Sequence, residues 1–305
     1  MFDTFKNRLE ITGVLTTITA LRISAGRSSE PIGSDLPVIK DALNRPLIPG
    51  SSFKGAMRSR LESFLRGIDS SFVANPAIEA EWSITNERMN GKNGLKKEVE
   101  KELEQYTQEE RAAKKDQLLT DKIINETDLI SLLFGSPWIA SKFQVRDLTV
   151  VDNTWFGQYQ ERDGVSIDRD TETAADGKLY DFQVVPAGTH FEFRAVVENA
   201  EEWELGLLMI GLHQFETEQI PLGGGRSRGL GVVKLEIDKM YWLDVNNNPE
   251  KLLTYLQELV NSNIGDKLPS YQDGKESKQK WTQSLITYLT ENLPKNSTTI
   301  TPTQS

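Results

Sequence analysis

The stretch Asp35-Leu-Pro-Val-Ile-Lys-Asp-Ala-Leu-Asn-Arg-Pro-Leu-Ile-Pro-Gly-Ser-Ser-Phe-Lys-Gly-Ala-Met-Arg-Ser-Arg60 decides how this chain is read. Val38-Ile39 and Leu47-Ile48 flank Asp41 to Arg45 as a short hairpin. Apolar residues then fall at Phe53, Met57, Leu61, Phe64 and Leu65, the spacing of one helix face, with Ser51 or Ser52 as the N-cap. A helix whose first turn is Gly, Ser, Ser and Lys offers backbone N–H groups to an anion, so the run outlines a phosphate site. Lys54 and Arg58 strengthen it, because cations near a helix N-terminus oppose its dipole unless an anion sits there. The pattern G-x-x-x-x-G-K-[ST] is absent, which excludes a nucleotide P-loop. Asp35, upstream on a Gly/Ser/Pro loop, brings an acid and an anion grip together on one piece of chain.

Working outward, Arg8 to Ala25 alternates and is rich in β-branched residues, the pattern of a long first strand. Between about Ile68 and Thr127 the chain becomes highly charged and helical by propensity, an insertion. Order returns with a short helix from Asp128, closed by Gly135, and an alternating strand, Phe143 to Val151. Asp163 to Lys178 is polar and should project from the core. Two strands broken at Pro186-Ala-Gly188, a helix over Glu201 to Phe215, a glycine-dense loop and a strand over Val232 to Ile237 follow. Beyond Trp242 come helical stretches near Glu250 to Leu259 and Gln279 to Leu293, then a Ser/Thr/Pro tail expected to be disordered. Without insertion and tail the order is that of an α+β, ferredoxin-like (RNA-recognition-motif-like) βαββαβ core. The expected division is a core over 1–240, containing the insertion at 68–127 and the projection at 163–178, and a helical extension with tail over 241–305.

Composition narrows the chemistry. The 305 residues carry a net charge of −10, which argues against general coating of nucleic acid, so any such contact must be local. Local cations do occur: Lys40, Arg45, Lys54, Arg58, Arg60 and Arg66 in one segment, Arg226 and Arg228 in another. The absence of cysteine excludes thiol catalysis and disulfides, and His190 and His213 are too few for an ordinary structural zinc site. No apolar run is long enough to span a bilayer, and Met1-Phe-Asp-Thr-Phe-Lys6 has no signal-peptide character; a soluble, cytoplasmic protein is expected.

Gly223-Gly-Gly-Arg-Ser-Arg-Gly-Leu-Gly231 lacks the dinucleotide-binding spacing and runs from helix to strand. What it offers is a backbone that a ligand can approach at Gly224 and Gly225, with the guanidinium forks of Arg226 and Arg228 suited to phosphate. A single carboxylate, Asp35, is enough for one reaction: in-line attack of a ribose 2′-hydroxyl on its own 3′-phosphate. With an ordinary pKa near ~3.9 it is a feeble base, which favours assistance by Mg²⁺ or another divalent metal. His213 reads as a packed or boundary residue; Trp138, Trp155 and Trp203 read as packing residues, with Trp155, near the projection, the one to test for base stacking.

These residues resemble the RAMP superfamily, and most closely the repeating backbone subunit of type III CRISPR effector complexes. The resemblance covers about Arg8 to Ile237 without the insertion. Thr19 to Gly26 is similar to the family's first-strand ending, with Arg22 where histidine is common; Asp35 to Asp41 and Leu47 to Gly55 look like its acidic loop and helix start. Phe134-Gly135 and Val145-Arg-Asp147 match its mid-chain pair, Ser166 to Thr171 the stem of its thumb hairpin, and Gly223 to Gly231 its glycine-rich loop. The resemblance implies that Ser51, Ser52, Lys54, Arg58, Gly224, Gly225, Arg226 and Arg228 hold a CRISPR guide RNA. It implies that a thumb carrying Ile167, Asp168 and Arg169 wedges between base pairs and flips a nucleotide, and that Asp35 cleaves target RNA at the kink with a divalent metal. Implied partners are guide RNA, target RNA and other type III effector subunits. A catalytically inert structural RNA-binding subunit and a free-standing processing ribonuclease are the alternatives.

Overall fold

The computed structural model describes residues 4–24, 26, 36–167, 174–262 and 267–293, with 164–167 and 174–180 as backbone only. In chain order the strands and helices are β1 (Asn7–Thr17), β2 (Leu47–Ile48), α1 (Gly50–Ile68), α2 (Asn86–Asn90), α3 (Leu95–Glu102), α4 (Gln108–Glu126) and α5 (Leu129–Phe134). Then come β3 (Phe143–Val145), β4 (Leu148–Thr149), β5 (Gln160–Ile167), β6 (Ala174–Val184), β7 (His190–Glu198), α6 (Glu202–Glu216), β8 (Val233–Asp244), α7 (Pro249–Asn261), β9 (Gln272–Asp273) and α8 (Lys278–Glu291). The architecture is α+β: a five-stranded sheet in the order β3-β7-β1-β8-β9, every pairing antiparallel. Two small ribbons, β2-β4 and β5-β6, stand beside it.

The apolar alternation read in the first strand is the physical basis of the sheet. Leu9, Ile11 and Leu15 are buried on one face, and so are Phe191, Phe193, Ala195 and Val197 of β7. Helix α1 lays Phe53, Met57, Leu61 and Leu65 on that face, each side chain contributing about 1.5–3 kcal/mol by burial. The Phe53 ring stacks on Phe215 of α6 at 4.2 Å and meets Phe193 at 4.9 Å, which ties both helices to the sheet. Helix α8 packs on α6 so closely that a Cβ at Gly206 would lie 2.1 Å from the Trp281 carbonyl oxygen. Trp281, Leu285 and Leu289 therefore belong to the main core, although they lie in the segment read from sequence as a separate extension, 241–305.

Several sequence expectations are corrected in detail. The first strand ends at Thr17, not Ala25, because Ile18 and Thr19 donate to Val232 O and the chain turns out of the sheet; Leu21 and Ser24 make only isolated bridges, to Val185 and Val38. The strand expected over Phe143 to Val151 is broken at Arg146-Asp147, and its second half, β4, pairs with β2. Helix α1 starts at Gly50 with Pro49 as N-cap, so neither Ser51 nor Ser52 caps it. His213 is exposed beside Glu216, not packed. Within the charged segment 68–127, Ile84, Met89 and Leu95 with Leu119 and Ile123 form a small core, which Trp138 from beyond α5 joins. Helix α4 within it has no fully buried residue, in keeping with its weak apolar spacing.

Candidate nucleic-acid interface

The glycine-rich loop is bound edge-on to the chain that leaves β1. Gly224 N–H donates to Arg22 O at 2.9 Å, Gly231 N–H to Ala20 O at 2.9 Å, and Val232 N–H to Thr19 Oγ1 at 3.0 Å. Gly223 has φ +72°, and a Cβ there would lie 2.0 Å from Arg22 O, so only glycine fits. Nothing lies within 4 Å of a Cβ built on Gly224, whose outer side is open. Arg226 and Arg228 stand on a single 3₁₀ turn between left-handed Gly225 and Gly229, both exposed, and Arg226 Nε reaches back to Gly223 O at 3.2 Å.

From there a ladder of backbone bonds runs to the start of α1. Ile39 N–H donates to Ile23 O (2.9 Å) and Leu47 N–H to Ile39 O (3.1 Å); β2 pairs with β4, and Gly50 N–H donates to Asp147 Oδ1 at 2.8 Å. The foot of the β5-β6 hairpin joins the same ladder through Leu21–Val185 and Leu36–Phe182 bridges. The glycine loop, the end of the acidic loop, the hairpin foot and the α1 start are thus hydrogen-bonded into one continuous layer, although they lie far apart in sequence. Arg22 lies in this layer with its guanidinium carbon 4.6 Å from the centre of the Phe182 ring, a cation–π contact.

The side chains at the α1 start are engaged by the protein itself. Asp147 supplies an anion to the helix N-terminus, the role sequence reasoning left to a ligand. Ser51 is exposed and Ser52 half-buried. Lys54 Nζ donates to Ser141 Oγ at 2.6 Å, and burial, with the Arg58 charge nearby, pushes its ammonium down to about 8. Arg58 binds Glu62 (2.7 Å), Gly135 O (2.9 Å) and Ser131 Oγ (3.2 Å). It lines a pocket of about 470 Å³ with Trp82, Phe134 and Trp138. Asp41, the next acid along the chain from Asp35, is locked to Arg45 at 2.8 Å. Asp35, Asp168 and Arg169 lie outside the described residues, as do the loop 27–35 and the tail 294–305; Ile167 is described only as the end of β5.

The family model of the RAMP superfamily matches residues 14–234. The chain belongs to the RAMP superfamily. Three relatives share the name "CRISPR system Cms endoribonuclease Csm3". That of Enterococcus italicus is 25% identical over 236 residues, 77% of this RAMP chain and 92% of its own length. That of Mycobacterium tuberculosis is 50% identical over 56 residues, 18% of this chain and 24% of its own. That of Methanothermobacter thermautotrophicus is 48% identical over 60 residues, 19% and 24%. The chain therefore matches about a quarter of the length of two of these relatives and nearly all of the third.

Among the described residues of this RAMP chain no group of three or more His, Cys, Asp or Glu side chains is placed to hold a metal, and no helix is long and apolar enough to cross a membrane. Sequence reasoning missed the Asp147 cap and the buried pair of Lys142 with Glu204 (2.6 and 2.5 Å). Burial pushes the Glu204 carboxyl up against the pull of Lys142. The only trace of the first was the Val145-Arg-Asp147 motif; the second joins residues 62 apart and leaves no local pattern.

Proposed function

We propose that the chain is a guide-RNA-binding backbone subunit of a type III CRISPR effector complex, positioning and cleaving target RNA at a kinked, flipped-out nucleotide. The observation that carries this is the family match over residues 14–234, with a Csm3-named relative covering 77% of the chain. It is supported by the layer that joins the glycine loop to the end of the acidic loop. On this reading β1, α1, β3, β7, α6 and β8 are a ferredoxin-like βαββαβ core, the β5-β6 hairpin is the thumb, and the elements after β8 are a C-terminal brace whose α8 packs into that core. Arg226, Arg228 and the open backbone at Gly224, with Gly225 beside it, contact guide phosphates, and Ser51, Ser52, Lys54 and Arg58 shape the neighbouring wall. Partners are guide RNA, target RNA and other effector subunits.

The reaction needs little from the protein. A 2′-hydroxyl attacks the adjacent 3′-phosphate once the flipped nucleotide frees the backbone for in-line geometry; Asp35 takes the proton from the attacking hydroxyl, a 2′,3′-cyclic phosphate forms, and the departing 5′-oxygen takes a proton from water. A divalent ion, if used, would be held by Asp35 together with oxygens of the RNA and would supply charge neutralisation at the reacting phosphate; among the described residues no cluster of three or more acidic or histidine side chains stands ready for one. The test is Asp35→Ala in the assembled complex, for which target cleavage in register with this subunit is lost while target binding persists. A catalytically inert structural subunit is the second reading, favoured by Arg22, whose position commonly holds histidine and whose guanidinium is committed to the Phe182 ring. It requires that the unaltered complex make no cut in that register even with Mg²⁺.

A further inference from the structure

Between β4 and β5 the chain makes a turn of unusual composition. Val151 N–H is anchored to His190 O at 3.0 Å, Asn153 and Gly157 take left-handed φ of +63° and +82°, and the two turns hold Trp155 and Phe156 between them. Trp155 points inward, half-buried against the main core. Phe156 points outward and is 63% exposed, with its ring centre 5.3 Å from that of Trp155. Tyr159 also packs on Trp155, tilted, with ring centres 5.0 Å apart, and its hydroxyl donates to Asn44 O at 2.8 Å. The Phe156 ring is therefore an exposed aromatic face on a rigid base, pinned at one end to the core and at the other to the hairpin that follows the acidic loop.

The Lys40 ammonium lies 4.4 Å from the centre of the Tyr159 ring and has no carboxylate partner among the described residues. Burial, together with the Asp41 charge, pushes the Tyr159 hydroxyl up to about 12, so Lys40 faces a neutral phenol. The residues around Phe156 are polar and exposed: Asp152, Asn153, Thr154, Gly157 and Gln158. A protein interface needs a patch of several hundred Å², whereas a lone ring with a polar rim, in an aromatic cluster whose Tyr159 carries a lysine, has the size and chemistry of one nucleotide.

We propose that Phe156 is a stacking platform for one unpaired base of an RNA strand, and that Lys40 meets the adjoining phosphate. The inference rests on the RNA-binding reading above and adds to it a base subsite at the foot of the β5-β6 hairpin. The platform is continuous with the layer that carries the glycine loop, through Asn44 and the Ile39–Leu47 ladder.

The test uses the full chain and single-stranded RNA oligomers carrying 2-aminopurine, with affinity read by anisotropy and stacking by quenching of the base fluorescence. Phe156→Ala is expected to weaken binding about 5- to 30-fold and to abolish quenching at one position of the oligomer, whereas Phe156→Tyr retains both. Lys40→Gln weakens binding with quenching kept. Unchanged affinity and no position of quenching, in a protein that still loses RNA on Arg226→Ala, overturns the stacking platform and leaves the RNA-binding reading intact. Failure of the unaltered chain to bind any oligomer overturns both. A change in self-association on Phe156→Ala without a change in RNA affinity reassigns the ring to a protein contact and overturns the proposal.

Discussion

The carboxylate of Asp147 accepts the backbone N–H of Gly50 at 2.8 Å, across 97 residues of sequence. A break in an otherwise continuous strand thereby becomes the cap of the helix that the sequence singles out as an anion site. Gly50 itself is pressed against that break, since a Cβ would lie 2.5 Å from Val145 O. The two segments are therefore matched in both charge and shape.

Removal of this cap tests how much it holds. Asp147→Ala is expected to cost about 1 kcal/mol, a fall of about 2–4 °C in Tm by differential scanning calorimetry, with Asp147→Asn intermediate. An unchanged Tm for Asp147→Ala refutes the capping role.

The ion pair of Lys142 with Glu204 is almost wholly buried, with relative exposures of 5% and 1%. Glu204→Gln leaves an uncompensated ammonium in the core and is expected to cost about 3–5 kcal/mol in urea denaturation. The double replacement Lys142→Met with Glu204→Leu is expected to cost clearly less than that single change, because no charge is left stranded. If the double variant is the worse of the two, the pair is a net stabiliser and a stranded charge is not what makes the single change costly.

Lys54 gives a pH signature. Its folded pKa of about 8 lies below the ordinary 10.5, so above pH 8 the unfolded chain binds more protons than the folded one and stability rises with pH up to about 10.5. Lys54→Met is expected to remove that rise. Followed by NMR at Nζ, the titration midpoint should move upward when RNA binds if a phosphate approaches Lys54; a midpoint that stays near 8 removes Lys54 from the interface.

Neighbouring glycines separate fold from ligand. Gly223→Ala is expected to destabilise the chain by more than about 1 kcal/mol, because it strains a left-handed residue against Arg22 O. Gly224→Ala has room in the free protein and should leave Tm unchanged while lowering RNA affinity. Equal effects of both on Tm would show that the open side of Gly224 is not reserved for a ligand.

Arg226→Ala and Arg58→Ala should differ in kind. Arg226 is exposed and reaches back to Gly223 O, so its loss is expected to weaken RNA binding uniformly across sequences and to reduce the salt slope by about one. Arg58 is tied to Glu62, Gly135 and Ser131, and its loss is expected to appear in Tm. A salt slope that is unchanged in Arg226→Ala removes it from the phosphate contacts.

The elements with strong patterning are legible in the residues alone: the alternation of β1 and β7, the apolar face of α1, the apolar run of α6, and the Gly135 stop of α5. Each is a local consequence of which side of a strand or helix meets apolar neighbours. The glycine-rich motif is legible too, because a close approach such as that of Gly223 to Arg22 O admits only glycine. Local pattern does not tell that the strand beginning at Phe143 breaks at Arg146-Asp147, that Lys54 and Arg58 are engaged by the Ser131–Ser141 region, or that α8 enters the main core.

Spacing and residue type along single stretches of chain were thus enough for the α+β class, the family and the positions of the motifs. Which cations are engaged by the protein and which stay exposed, what caps α1, and where an aromatic ring faces solvent depend on how distant segments meet. Hydrogen bonds, ion pairs and burial between those segments settle such questions, and no local pattern around Gly50 announces a partner 97 positions away.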